Sequence, residues 1–419
     1  MNMRKAFWTG FVGFSIFSFS CHAEDWPQFR GLHRDAISKE TGLLKSWPDG
    51  GPKLVWQNND VTEGWGAPAI AGDSVYLLGS KGVEEESVSA YKVSDGSKIW
   101  STKIGAVGKP NQQPKYPGAR STPTIDHGIA YALGSDGDLA AVETKSGQIK
   151  WHKNVRTEFG GESGIWAYAE SPLVDGDNVV VSPGKEKATV IALNKNTCAE
   201  IWRCAIPEGD VAAYGSTIVV DFGGVREYVA VLQGGMVGID AHSGKLLWRY
   251  AHAGKGSPAY IPTPVEKNGI IYTAGARVGS GAIKLKVVEG DKVSFEELYF
   301  DNKLPAAIGG SVVVGDTLYG TGAGGLEAVD FATGKVKWQD KSVGPASLLF
   351  ADGNLVLHSE EGQIALVAAN AEKYEEKGRF TPKDAPARTG GAKTWAYPAL
   401  ANRQLYIHEG NSLWRYDLK

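Results

Sequence analysis

One seven-residue tail recurs along this chain and always ends in tryptophan: SDGSKIW at Trp100, KSGQIKW at Trp151, NTCAEIW at Trp202, HSGKLLW at Trp248 and ATGKVKW at Trp338. The intervals are 51, 51, 46 and 90 residues. A period of roughly 40 to 50 residues selects an array of one repeated supersecondary unit before any other fold is considered. The long interval holds two units, the first closing on the degenerate tail VSFEELYF at 293–300, and YEEKGRF closes a further unit at Phe380.

Each unit also has a head, such as APAIAGDSVYLLG, STPTIDHGIAYALG or SVVVGDTLYGTG. These are short alternating runs rich in Val, Ile and Tyr, broken by Gly, Asp and Asn, the pattern of antiparallel hairpins. No apolar pattern of 3.6-residue period is long enough for a substantial helix. Four strands per unit follow, in the second unit near 121–126, 129–133, 139–143 and 149–152. Pro68, Pro123, Pro172, Pro264 and Pro398 stand at first strands, where a missing N–H costs least. Such units bury a core only by packing face to face around an axis, which makes the chain an all-β propeller.

Heads begin near residues 67, 121, 170, 215, 262, 309 and 346, and an eighth unit, YPALANRQLYIHEGNSLWRYDLK, ends at Lys419 with three strands. The stretch GPKLVW at 51–56 is a fourth strand with no unit before it. The expected architecture is therefore one eight-bladed domain over 24–419, its last blade completed by the N-terminal strand 51–56, with Leu54 and Trp56 on the outer strand.

Residues 1–23 read as an export signal: Arg4 and Lys5, an apolar run from Ala6 to Ser20, and the small-x-small end Cys21-His22-Ala23. The run is short for a membrane span, and no later segment approaches that apolar length. Cys21 would be the acylated residue of a lipoprotein, but Ser18-Phe19-Ser20 lacks the leucine that usually stands three residues before it. The expected destination is the periplasm or the exterior. A formal net charge of −3 argues against nucleic-acid partners. Export invites a disulfide between Cys198 and Cys204. An extended strand between them would span about 20 Å, against a limit of about 7 Å for the Cα atoms of a bridge, so two free buried thiols are expected.

Several motifs carry no chemistry in context. Gly320-Thr321-Gly322-Ala323-Gly324-Gly325 matches G-x-G-x-x-G, but both flanks are strands, whereas a dinucleotide site needs a following helix. Asp136-Gly137-Asp138 is a turn without the spaced ligands of a calcium loop. The histidines show no metal-ligand spacing, and neither a nucleophile elbow nor a phosphate loop is present. The repeated tryptophans share one place on the outer strand, which assigns them to packing between blades.

In a propeller the connections from a fourth strand to the next first strand gather at one mouth of the central channel, and loops on a rigid scaffold carry function. Here they bring Trp65, Arg120 and Trp395, each three residues before its blade's proline, close to Trp166, Tyr168, Glu170, Tyr214, Tyr260 and Tyr397. Aromatic rings with an Arg and a Glu suit a polar organic ligand, with Arg120 as a bidentate clamp for a carboxylate. The same side chains could equally plug the channel. Glu170 by itself supplies no acid/base pair for glycoside chemistry.

The tails SGQIKW and TGKVKW, with DWPQFRG at 25–31 and WAYAESPLVDGD at 166–177, resemble the PQQ-like propeller repeat shared by quinoprotein dehydrogenases and BamB-like envelope proteins. The resemblance covers nearly the whole chain after residue 23. It implies one of two functions: a non-catalytic scaffold that binds an envelope protein or peptide, or a dehydrogenase oxidising an alcohol or sugar with PQQ and calcium. The quinoprotein members carry an adjacent disulfide-bonded cysteine pair and an Asp base. This chain has no adjacent cysteines, and no Asp base or calcium ligand set could be matched, so the scaffold reading leads.

Overall fold

The computed structural model describes residues 24–109, 118–257, 259–288, 292–387 and 393–419. The leader-like segment and Cys21 lie outside them, as do parts of three mouth loops. The described residues form eight β-sheets, seven of four strands and one of five. Blade 2 shows the pattern, running outward through Thr124–Asp126, Ile129–Leu133, Asp138–Glu143 and Ile149–Asn154. Its second and third strands are almost wholly buried because neighbouring blades cover both faces, whereas its outer strand leaves Ile149 exposed at the rim. The first strand starts later than the expected residue 121, and Thr122 before it bonds instead to the blades on either side. Among the described residues the helical content is one short segment, Val155–Phe159, capped by Asn154.

Blade 8 consists of Ala399–Ala401, Gln404–Glu409 and Ser412–Asp417, and its fourth strand is Lys53–Asn58. Leu54 faces Tyr416 and Gln57 faces Trp414, with a bulge between Leu54 and Trp56. The outer strands of the other blades carry the same irregularity near their tail residue. Gly51, at φ 88°, precedes the latch and lies against the Phe380 ring of blade 7, where a side chain would collide. Trp47, Phe380 and Tyr416 fill the space between blades 7 and 8 with edge-on ring contacts.

The outer tryptophans join neighbouring blades. Each indole N–H reaches a backbone carbonyl in the turn of the next blade: Trp56 to Val93, Trp100 to Thr144, Trp151 to Lys195 and Trp338 to Asn370 at 2.8 Å, and Trp202 to Ala241 at 3.1 Å. The glycine of the repeated turn serves both partners. It takes a positive φ, 73° at Gly96 and 74° at Gly147, and its missing side chain leaves room for the indole of the blade before. In blade 3 this position is Cys198, which adopts φ 61° and packs with Trp151. That placement accounts for a residue in the left-handed region and for two buried thiols that remain free.

Trp248 departs from the scheme because blade 5 ends in the long hairpin Gly279–Val288 and Lys292–Asp301 instead of the glycine turn. Its N–H turns back to the buried Glu227 carboxylate of its own blade at 2.7 Å. Tyr299 restores the linkage one blade later, its hydroxyl donating to Phe331 O at 2.9 Å.

A second belt runs near the axis. The N–H of Ala67 donates to the Thr122 hydroxyl, Thr122 to Ser171, Ser171 to Ser216 and Ser216 to Thr263, each at 2.9 Å. Five successive blades are thereby joined at the start of their first strands. His358 and His408 hold later junctions, through Ala396 O at 3.0 Å and Gly66 O at 2.8 Å.

The chain before the latch forms a plug across the channel, which the repeat pattern does not foretell. Trp26 pairs with Ile70 of blade 1, Pro27 O accepts from Ile125 of blade 2, and Ile37–Ser38 runs parallel to Ala346–Ala351 as the fifth strand of blade 7. Buried Arg34 donates to Ser171 O at 2.6 Å and Pro172 O at 2.8 Å in blade 3, and buried Arg30 donates to Ser311 O in blade 6. Two guanidiniums thus bind backbone carbonyls at the first strands of blades 3 and 6.

Trp202 is the most deeply seated of the regular anchors. Trp202→Phe, which removes the indole hydrogen bond, should cost about 1–2 kcal/mol, and Trp202→Ala, which also empties the contact, about 3–5 kcal/mol. The shift of the denaturation midpoint measures both, and an alanine variant as stable as the parent would contradict the anchoring role.

Candidate functional site

A cavity of about 550 Å³ opens at the channel mouth formed by the connections into the first strands. Trp65, Arg120, Trp166, Tyr214, Trp395 and Tyr397 line it, so six of the nine residues expected there are brought together. The channel mouth is therefore not filled by them. Trp65 meets Trp395 edge to face at 4.4 Å, and the Arg120 guanidinium lies over Trp65 with Cζ 5.3 Å from the ring centroid. Arg120 Nη1 donates to Gly118 O at 3.0 Å, and Trp395 Nε1 donates to Glu360 at 3.1 Å. Trp166 packs on Tyr214, whose hydroxyl accepts from the Trp166 N–H at 3.3 Å.

Tyr168, Glu170 and Tyr260 do not line the cavity, which corrects the expectation. The chain is extended there, so neighbours alternate in direction. Ala169 and Ser171 face the cavity while Glu170 between them turns away, and Ala259 and Ile261 face it while Tyr260 turns away. Glu170 is buried against blade 3, where the N–H and hydroxyl of Ser182 donate to it, the latter at 3.2 Å. The Tyr168 hydroxyl donates to Pro183 O at 2.7 Å, and the Tyr260 hydroxyl pairs with Thr273. All three brace their own blades.

The structure adds lining residues that the sequence reading missed. Phe29 of the plug contributes to the wall and packs edge-on against Tyr397 at 4.9 Å. Arg277 comes from the turn between the second and third strands of blade 5, a class of turn that opens at the same end as the mouth connections. Ser171, Ser216 and Thr263 of the inner belt also line the cavity. Their signal was legible as a hydroxyl residue two places before the first strands of blades 2 to 5.

Electrostatically the lining is one-sided. It holds two arginines and, among the described residues, no carboxylate or carboxamide. Burial lowers the pKa of Arg120, an effect opposed by nearby Glu86. Burial lifts Glu86 itself to about 7 against the hydrogen bonds from Ser135. Burial likewise lifts Glu170 to about 7, opposed by the Ser182 hydrogen bonds and the charge of Arg34.

A calcium-bound quinone would need several oxygen ligands including carboxylates, and the described lining supplies none. No group of three or more His, Cys, Asp or Glu that could hold a metal occurs among the described residues. The two cysteines sit in the outer turn and outer strand of blade 3, and neither lines the cavity. The described residues thus do not fit that cofactor.

The family model described as outer membrane protein assembly factor BamB matches residues 37–188 and 186–419. A protein of that name from Salmonella typhimurium is 28% identical over 139 residues, a match covering 33% of this chain and 31% of the relative. The match thus spans about a third of that relative's length. Among solved structures, BamB from Moraxella catarrhalis superposes with a TM-score of 0.61 at 15% identity, covering 87% of this chain and 97% of that one. Quinohemoprotein alcohol dehydrogenase from Comamonas testosteroni gives 0.62 at 14% identity, covering 94% and 80%. At such identities the likeness shows the fold alone.

Glu170 offers a test of its structural placement. Its folded-state pKa of about 7 lies above the ordinary 4.5, so the folded chain holds a proton that the unfolded chain has released. The stability it contributes is full below about 4.5 and lost as pH rises towards about 7, with a slope of up to about 1.4 kcal/mol per pH unit. Glu170→Gln should flatten stability against pH across that window in urea titrations. An unchanged pH profile would contradict the buried, proton-holding carboxyl.

Proposed function

Because this chain belongs to the outer membrane protein assembly factor BamB family, we propose that it is an exported, non-catalytic scaffold that binds a protein partner during outer-membrane protein assembly. The observation that carries the non-catalytic part is the lining of the mouth cavity: aromatic rings and two arginines, with no acid/base pair and no ligand set for a metal among the described residues. Export is supported by the leader-like residues 1–23. Among the described residues no helix is long and apolar enough to cross a membrane.

The binding face in this reading is the mouth. Its loops stand on blades joined by the hydroxyl belt, so their positions are set before a partner arrives, which reduces the ordering cost of association. Ile165, one of the large apolar side chains most exposed to solvent, stands beside the lining residue Trp166. An apolar contact at the rim of a rigid mouth is the kind of anchor that protein partners use.

A photo-crosslinking amino acid at Ile165 should capture outer-membrane assembly proteins in intact cells, whereas the same probe at Lys98 on an outer strand should not. Removing the chain should lower the amounts of folded outer-membrane proteins. Equal capture at both positions, or quinone-dependent dye reduction by the purified chain, would overturn the reading.

A further inference from the structure

The first strand of each blade has one edge in its own sheet and a second edge turned to the channel. Each closes a hairpin through a two-residue turn, and the closing pair exchanges both of its hydrogen bonds. Alternate residues back along the strand therefore turn N–H and C=O to the channel edge. By this alternation Ile70 in blade 1, Ile125 in blade 2 and Phe350 in blade 7 face the channel, and the plug meets all three. The Ile70 N–H donates to Trp26 O, the Ile125 N–H to Pro27 O and the Phe350 N–H to Ala36 O, each at 2.8 Å, and Ile70 O accepts from the Trp26 N–H at 3.0 Å.

The same alternation turns Val219 of blade 4, Glu266 of blade 5 and Val313 of blade 6 to the channel. Among the described residues no backbone partner meets these three peptide groups. All three line a second cavity of about 420 Å³, to which the plug contributes Arg34, Asp35 and Ile37. Ile218, Val265 and Val314 make much of its wall apolar. Its charges are of both signs, with Asp35 and Glu266 beside His33, Arg34 and Lys267, which favours neither a cation nor an anion. An open strand edge is a template for pairing with another chain, and the plug shows what these edges accept. Ile37–Ser38 adds to blade 7 as a parallel strand, and the successive carbonyls of Trp26 and Pro27 serve two adjacent blades. The cavity continues that interface, since Ile37 pairs with blade 7 and also lines the cavity.

We propose that this second cavity takes an extended segment of a partner polypeptide, whose backbone pairs with the peptide groups of Val219, Glu266 and Val313 and whose apolar side chain meets Ile218, Val265 and Val314. A peptide backbone offers donors and acceptors in alternation and carries no net charge, which matches both the open edges and the mixed charge of the wall. The inference stands apart from the assembly reading, because it concerns a different cavity and needs only the purified chain and a peptide.

The probe is the chain's own edge-pairing sequence, residues 35–39, as the acetylated and amidated peptide Asp-Ala-Ile-Ser-Lys. The control is the same peptide N-methylated at every backbone amide, which keeps the side chains and removes the donors. In the protein alone, the amides of Val219, Glu266 and Val313 should exchange with deuterium at least about tenfold faster than those of Ile70, Ile125 and Phe350. Saturating peptide should slow the first three by at least about tenfold, and calorimetry should show methylation weakening binding by a similar factor. Val313→Pro removes an N–H on the channel edge, where proline is tolerated, and should weaken binding about tenfold. Its thermal melt shows whether it folds, and the methylated peptide carries the test if it does not. Equal binding of the two peptides, no heat from the unmethylated one, slowing at other amides only, or three amides already as slow as Ile70 in the protein alone, overturns the proposal.

Discussion

A ring of eight sheets holds together only if every interface between blades is closed, and in this chain that closure rests on hydrogen bonds made in the same sense around the axis. At the rim an indole N–H of one blade meets a carbonyl in the turn of the next, and near the axis a backbone N–H meets the next blade's hydroxyl. An unmet buried donor costs about 1–3 kcal/mol, so one missing interface is expensive and its effect is shared by both neighbouring blades. The latch Lys53–Asn58 supplies the last interface. Trp56 donates to Val93 of blade 1 just as Trp100 donates to Thr144 of blade 2.

The same N-terminal segment gives the channel its floor. Trp26, Pro27, Arg30 and Arg34 attach to blades 1, 2, 6 and 3, so the plug ties together blades that do not otherwise touch. Its consequence is chemical as well as mechanical, since its residues line two separate cavities, Phe29 at the mouth and Arg34 in the other. The second cavity, of about 420 Å³, is lined by His33, Arg34 and residues at the first strands of blades 4 to 6. Function at the mouth thus depends on residues that precede the first repeat.

Much of the fold was legible because it is written in repeats. The tail glycines and tryptophans fix the outer strand, the prolines mark the first strand, and an orphan tail at GPKLVW demands closure with blade 8. The plug was not legible, because residues 24–50 carry no repeat and their partners lie far along the chain, as with Arg30 and Ser311, 281 residues apart. At the mouth, loop position identified Trp65, Arg120, Trp166, Tyr214, Trp395 and Tyr397. It failed for Glu170 and Tyr260, because extended chain alternates its side chains and their immediate neighbours Ser171 and Ile261 took the facing positions. Arg277 was missed because only one of the two classes of loop at that end was considered.

The central claim is that the N-terminal strand is an integral part of the ring. Native-state hydrogen exchange tests it most directly. The account predicts that the amides of Lys53–Asn58 that bond to Ser412–Asp417 exchange as slowly as those of Gln404–Glu409, through the same global opening. Rapid exchange across Lys53–Asn58, as from a frayed terminus, with Gln404–Glu409 still protected, would contradict it.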